Sequence, residues 1–295
     1  MNTPENSALP GQAAFPTAST RISETQPANG PDNPPWKLWA AAFAWLASVV
    51  LLWLVPQFCA LPYVATHYRA MGGPTKELLL NDKTFVLILV AGFIPAHLLT
   101  LMLAWAIASS FGKFSVVKTL GLSWPANFGF WKSTATAVGL FLIAMVIIYK
   151  FGVQDTDLER ILRSSRAAAI VTAFVAAVTA PLVEEVIYRG LLYSALQRAA
   201  GVIAAVAIVA LTFAGLHVLQ YWPNFGAIST ISLLSLVLTL VRARTGRLLP
   251  CYVIHLVFNG IQSVIIIAEP FVRTIPPTPH PDAAPALLQL FLKLL

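Results

Sequence analysis

Charged side chains are scarce in this chain. Of its 295 residues, 58% are hydrophobic and 11% are charged, and the mean hydropathy is +0.75. Soluble domains carry roughly 25% charged residues, so a soluble fold of this length would lack the polar side chains that cover a surface. The apolar stretches are long and continuous rather than alternating, which favours helices over strands in a bilayer. The sequence therefore predicts an all-α, polytopic membrane protein.

The chain also lacks a long basic run and a cysteine motif. The net charge is +7, but lysine and arginine lie singly or in threes between apolar segments. There they flank helices and contact lipid head groups, which argues against a nucleic-acid partner. Cys59 and Cys251 have no CxxC or Cys/His neighbour. We interpret both as packing residues rather than disulfide partners or metal ligands.

Hydrophobicity divides the chain into three parts. Residues 1–35 are rich in Pro, Ala, Ser, Thr and Asn, a composition that predicts a disordered tail. Residues 36–270 form a helical membrane domain, and residues 271–295 a C-terminal tail whose short apolar end predicts an interfacial helix. Seven spans are predicted, or eight if that end also inserts. They are residues 38–60, 85–109, 133–149, 167–197, 202–219, 226–241 and 248–268.

The loops and the absence of repeats carry further information. The loop "RARTGR" (242–247) is basic, whereas the loop between the fifth and sixth spans has no lysine or arginine. The positive-inside tendency places residues 242–247 in the cytoplasm, and counting back through the spans places the N-terminus there too. No internal repeat is apparent, which argues against a transporter built from duplicated halves.

Three ionisable residues stand together in the fourth span, in "APLVEEVIYRG" (180–190). A charged side chain at mid-bilayer costs about 2.5–3.5 kcal/mol, so Glu184, Glu185 and Arg189 should face protein or water. Glu185 and Arg189 lie four apart on one helix face and can pair, whereas Glu184 points about 100° away. We predict that Glu185 and Arg189 stabilise the structure and that Glu184 takes part in the chemistry of the site. The simpler alternative is a structural ion pair near a helix end.

Two more polar pairs share this four-residue spacing. "FAGLH" places Phe213 and His217 on one face of the fifth span, and "HLVFN" places His255 and Asn259 on one face of the seventh. Because polar groups in lipid point into the bundle, Glu184 and these pairs should converge on one pocket. Measured from the turn near residue 199, Glu184 lies about 22 Å and His217 about 27 Å along their helices, whereas His255 lies about 10 Å from the start of its span. Their meeting therefore requires tilt or a later entry point.

The chemistry available to this set is hydrolysis. A carboxylate can act as a general base, and a histidine can hold the same water. A second histidine and an asparagine amide can donate to the oxyanion of a tetrahedral intermediate. Glu184, His217 and His255 are also an acceptable set of zinc ligands. The structural alternatives are that His217 serves only in packing and that His255 and Asn259 form hydrogen bonds between helices.

"EEVIYRG", "FAGLH" and "HLVFN", in this order on successive spans, resemble the CPBP family of CAAX proteases and bacteriocin-processing enzymes, also called the type II CAAX prenyl endopeptidase-like or Abi family. The resemblance covers about residues 180 to 260 and implies a catalytic core at about 166–268. It implies an intramembrane endopeptidase of the bacterial inner membrane that cuts a membrane-anchored or membrane-embedded peptide, such as a CAAX-type C-terminus or a leader peptide.

Carried onto this chain, the resemblance implies roles for seven residues. Glu184 and His217 would activate the water, His255 and Asn259 would stabilise the oxyanion, and Glu185, Arg189 and Phe213 would support the site. Family members are often labelled metalloproteases. We favour a metal-free mechanism, since HExxH is absent and an asparagine is a poor zinc ligand. The alternatives are a non-catalytic scaffold or bacteriocin-immunity protein, and a proton-coupled transporter that uses Glu184 as carrier.

Overall fold

The computed structural model describes residues 29–69, 73–151 and 165–272. The described chain is helical and contains no β-strand. Most helices are apolar around their whole circumference, as expected for segments that contact lipid. The elements are α1 (Leu38–His67), α2 (Lys76–Asn81), α3 (Lys83–Ala91), α4 (Phe93–Ala108), α5 (Val116–Leu120), α6 (Phe130–Phe151), α7 (Arg166–Phe174), π1 (Val175–Thr179), α8 (Ala180–Glu184), π2 (Glu185–Leu192), α9 (Tyr193–Tyr221), α10 (Phe225–Thr245) and α11 (Leu249–Val272).

Six helices in the described part are long and apolar enough to cross a membrane. They confirm an all-helical membrane protein, whereas the predicted number of seven or eight spans is not confirmed. One of the six, Arg166–Tyr221, contains both the predicted fourth and fifth spans.

The chain reverses direction inside this long segment. Gly201 has φ 84° and ψ 170°, a conformation that breaks a helix and that only glycine adopts readily. The rings of Tyr188 and Phe213 lie 5.0 Å apart, although one continuous helix would separate these positions by roughly 37 Å. The two halves of the segment are therefore antiparallel neighbours.

The main hydrophobic core surrounds the stretch Val183–Leu196. Buried side chains of α1, α4 and α9 pack against it, among them Ala44, Ala104 and Val209. A second core joins α6, α10 and α11 around Leu238 and Ile254. The segment that carries the paired glutamates is thus enclosed by other helices rather than exposed to lipid.

Residues 29–36, here called the N-terminal strap, depart from the predicted disordered tail. Arg242 donates to the Asp32 carboxylate at 3.1 Å and to the Pro31 carbonyl at 2.9 Å. Arg198 donates to the Trp36 carbonyl at 2.6 Å. The strap is fixed because distant arginines bind its backbone, a contact that local composition does not reveal. The rest of the predicted tail (1–28) and residues 273–295, with the predicted interfacial helix, lie outside the described residues.

Candidate active site

One π-helical segment precedes the paired glutamates, and a second begins at Glu185. Pro181 has no N–H and its ring crowds the preceding turn, and the helix before it widens into π1. π2 then runs over Glu185–Leu192. Such π segments occur frequently at functional sites, because they turn side chains away from the ordinary helical register. Gly190 lets neighbouring elements approach closely, since a Cβ there would lie 3.1 Å from Leu120 Cδ2.

Glu185 is fully buried and anchored through a single oxygen. Its Oε1 accepts from Arg189 Nη1 at 3.0 Å and from His255 Nδ1 at 2.9 Å. Its Oε2 is buried without a hydrogen-bond partner among the described residues. The i, i+4 pairing of Glu185 with Arg189 is present, and Glu185 additionally orients a histidine from the last helix.

Arg189 joins the motif to α10. Its Nε donates to Thr239 Oγ1 at 3.3 Å, and its Nη2 donates to both the carbonyl and the hydroxyl of Ser235. The guanidinium carbon lies 4.5 Å from the centroid of the Phe213 ring. Since both Arg189 and Glu185 have no exposed side-chain surface, these contacts compensate for the desolvation of a fully buried ion pair.

His255 lies between the two glutamates. Its Nδ1 contacts Glu185, and its Nε2 lies 3.6 Å from Glu184 Oε2. Because the Glu185 carboxylate oxygen is an acceptor, the His255 ring carries a hydrogen on Nδ1. In the neutral ring, Nε2 can then accept a hydrogen bond, and in the charged ring it can donate one. The distance to Glu184 is longer than a direct hydrogen bond. Glu184 is 23% exposed, so this edge of the cluster is open.

His217 joins the cluster through Phe213. Its Nδ1 lies 2.8 Å from the Phe213 carbonyl, which requires an Nδ1–H and leaves Nε2 as an acceptor in the neutral ring. His217 stacks on the Phe213 ring with centroids 4.5 Å apart, and His255 meets the same ring at 6.2 Å. The two predicted histidines therefore flank one aromatic ring.

Asn259 lies one turn beyond His255 on α11. Its Nδ2 donates to the Ala176 carbonyl at 2.9 Å, and Ala176 belongs to π1. This bond joins α11 to π1 and uses one of the two amide hydrogens of Asn259.

The difference in depth expected from the sequence does not keep His255 apart from the paired glutamates, since its ring nitrogens lie 2.9 Å from Glu185 and 3.6 Å from Glu184. The strap packs against the end of π2, where Trp36 Nε1 donates to the Leu191 carbonyl at 3.1 Å.

A zinc ion was an alternative for Glu184, His217 and His255. Within residues 29–69, 73–151 and 165–272, no group of three or more His, Cys, Asp or Glu side chains is arranged to hold a metal ion. His255 Nδ1 contacts Glu185 instead. Because the described side chains do not form the required set, no step is assigned to a metal.

Sequence reasoning missed three contributors to the site. Ser235 and Thr239 follow the same four-residue spacing on α10, a signal that was available. Arg242 is fully buried and its Nε donates to the Arg189 carbonyl at 3.2 Å. A basic residue at a helix end resembles an ordinary loop charge, so only the packed structure identifies Arg242 as an internal residue.

A comparison with protein families matches residues 166–261 to the family described as type II CAAX prenyl endopeptidase Rce1-like. Comparisons with curated proteins and with solved structures found no match. The matched stretch contains the paired glutamates, Phe213, both histidines and Asn259, and it runs over the helices that form the cluster. Residues 166–261 thus match the type II CAAX prenyl endopeptidase family, and they lie in a chain whose apolar helices make it an integral membrane protein.

Proposed function

We propose that this protein is an intramembrane endopeptidase that hydrolyses a peptide bond near a membrane anchor with a glutamate-activated water. The observation that carries the proposal is His255, held by buried Glu185 on one side and facing partly exposed Glu184 on the other. A partly exposed carboxylate beside an oriented imidazole is the arrangement that general acid–base hydrolysis needs.

In the proposed mechanism Glu184 takes a proton from water while the hydroxide adds to the scissile carbonyl carbon. His217 orients the same water by accepting a hydrogen bond at Nε2. His255, as the imidazolium, and the second amide hydrogen of Asn259 donate to the oxyanion. Glu184 then returns its proton to the amide nitrogen as the carbon–nitrogen bond breaks, which releases an amine and a carboxylic acid.

Glu185, Arg189 and Phe213 act in this scheme through other residues. Glu185 fixes the tautomer and direction of His255, and Arg189 fixes Glu185. Phe213 separates the two histidine rings and covers the Arg189 guanidinium. Their substitution is expected to disturb geometry as well as chemistry.

The distribution of charge supports an N-terminus in the cytoplasm. On the side of Trp36, the described helix ends and connections carry seven lysines and arginines, namely Lys37, Lys113, Lys118, Lys132, Arg198, Arg244 and Arg247. The opposite side carries five, namely Arg69, Lys76, Lys83, Lys150 and Arg166. The positive-inside tendency therefore favours a cytoplasmic strap. We propose the bacterial inner membrane as the location.

The substrate class we propose is a peptide or protein already held in the bilayer, with either a CAAX-type C-terminus or a leader segment. The site lies within the packed helices, so a soluble peptide would have to leave water to reach it. A membrane-anchored peptide is already concentrated at the right depth.

The test compares membrane proteomes from cells that express wild type or Glu184→Gln. New N-termini and C-termini close to membrane anchors should appear with wild type and be absent with Glu184→Gln, which keeps the shape and loses the base. The matched control is Glu77→Gln, an exposed carboxylate on α2. Equal cleavage by wild type and Glu184→Gln, with both proteins inserted at equal levels, would refute the assignment.

A further inference from the structure

A cavity of about 370 Å³ lies away from the catalytic cluster, where the end of α1 meets α2 and the start of α3. None of the site residues lines it. This cavity is at the opposite end of α1 from the strap, where the helix leaves its apolar segment. It is lined by Tyr63, His67, Tyr68, Leu78, Asn81 and Asp82.

Three rings line this cavity and pack against one another. Tyr63 and His67 are nearly parallel, with centroids 5.0 Å apart and an interplanar angle of 12°. Tyr68 stands across both, at 84° to Tyr63 and 77° to His67. Aromatic rings that border a cavity can attract an organic cation through their negative faces.

Asp82 supplies a negative charge, and its carboxylate oxygens already accept four hydrogen bonds. Its Oδ2 accepts from the hydroxyls of Tyr63 at 2.8 Å and Tyr68 at 2.7 Å. Its Oδ1 accepts from the backbone N–H groups of Thr84 and Phe85, at 2.8 and 3.2 Å. A carboxylate offers about four acceptor positions. The negative field therefore remains, but little capacity is left for a ligand that must donate hydrogen bonds.

We propose that this cavity binds a quaternary ammonium group, as carried by choline or by a phosphatidylcholine head group. Such a cation has no N–H to satisfy and binds through charge and aromatic faces. Two phenols that donate to one carboxylate have more electron-rich rings, which strengthens that attraction. A primary ammonium must also find hydrogen-bond acceptors, and the positions on the charged Asp82 carboxylate are already occupied, so it should bind more weakly.

The position of the cavity fits a lipid head group as well as a free ligand. α1 ends at His67, so the cavity lies where an apolar span reaches water. Exposed Arg69 and Lys83 adjoin Tyr68 and Asp82 in the sequence and can meet the phosphate of a choline phospholipid. Free choline and the lipid head group share this chemistry, and the experiment separates them.

The first arm titrates the full-length protein, purified in a maltoside detergent, with tetramethylammonium chloride and with ammonium chloride. Calorimetry should show saturable binding of tetramethylammonium and at least ten-fold weaker binding of ammonium. Asp82→Asn should weaken tetramethylammonium binding at least ten-fold, because asparagine keeps the capping oxygen for α3 and removes the charge. Glu77→Gln, which removes a charge from α2 outside the cavity, should bind as wild type does.

Two substitutions at Tyr68 give a second test if the Asp82→Asn protein is produced in low yield. Tyr68→Phe keeps the aromatic wall and should retain most binding, whereas Tyr68→Leu removes the wall and should abolish it. Circular dichroism of each variant checks the helical fold. Equal binding of the two cations, or equal binding by wild type and Tyr68→Leu, overturns the proposal.

The second arm identifies the source. The protein is reconstituted in nanodiscs of mixed phosphatidylcholine and phosphatidylethanolamine, extracted, and its retained lipids are quantified by mass spectrometry. Preferential retention of phosphatidylcholine that is lost in Tyr68→Leu indicates the head group, and saturable binding of choline chloride in detergent indicates the free ligand. If neither signal is observed, the proposal is overturned. Both arms are independent of proteolysis, so they stand or fall separately from the proposed peptidase activity.

Discussion

The buried ion pair of Glu185 and Arg189 gives the sharpest quantitative prediction. Arg189→Met removes the charge that balances Glu185 and the donors to Thr239 and Ser235. Breaking a buried pair by removing one partner costs about 3–5 kcal/mol, since the other charge stays buried and uncompensated. We expect a loss of stability in that range, although methionine retains much of the volume.

The double variant Glu185→Gln/Arg189→Met tests the cause. It removes both charges, so the penalty of the uncompensated carboxylate disappears. Contacting residues in one network couple by about 0.5–3 kcal/mol. The double variant should therefore be more stable than Arg189→Met by an amount in that range, while still inactive in cleavage.

The assay is reversible unfolding in mixed detergent micelles, followed by circular dichroism. Lys113→Met, an exposed lysine outside the cluster, is the matched control and should lie within about 0.5 kcal/mol of wild type. The reasoning fails if Arg189→Met is as stable as the control. It also fails if the double variant loses the sum of the two single losses.

Three further predictions address the metal, the strap and pH. Cleavage should survive dialysis against a chelator such as phenanthroline; a loss that zinc restores would contradict the metal-free proposal. Arg242→Met should cost about 1–3 kcal/mol or more, because it leaves buried acceptors such as the Arg189 carbonyl and the Ser194 hydroxyl without their donor; a loss no larger than that of Lys113→Met in the unfolding assay would argue against this role. Burial raises the pKa of Asp82, but hydrogen bonds from Tyr68, Tyr63 and the backbone outweigh it and lower that pKa below its ordinary 3.8. The stability that ionised Asp82 adds over Asp82→Asn should thus be present above pH 3.8 and be lost as pH falls through the lower folded value, which unfolding measured from pH 6 to 3 can check.

The fold class and the family could be predicted from the sequence because both depend on local patterns. Long apolar runs have one physical solution in a bilayer, and the structure confirms helices there. The match of residues 166–261 to the type II CAAX prenyl endopeptidase family confirms the resemblance that the three motifs indicated. The number of spans and the catalytic roles stay predictions.

The conformation of the motif could not be read in the same way. The prediction used 3.6 residues per turn throughout, whereas Glu185–Leu192 is a π-helix with a different angular step. Pro181 was visible in the sequence, but its effect on the preceding turn depends on how the helices around it pack.

By itself the sequence determined the membrane-embedded helical class and the residues whose burial demands a partner, because hydrophobicity and four-residue spacing act within one helix. The tertiary structure alone decided which partner each residue meets. It placed His255 between Glu184 and Glu185, put Arg242 behind Arg189, and joined Trp36 of the strap to Leu191. These contacts join residues far apart in the chain, and helix tilt, chain reversal at Gly201 and the position of the strap determine them together.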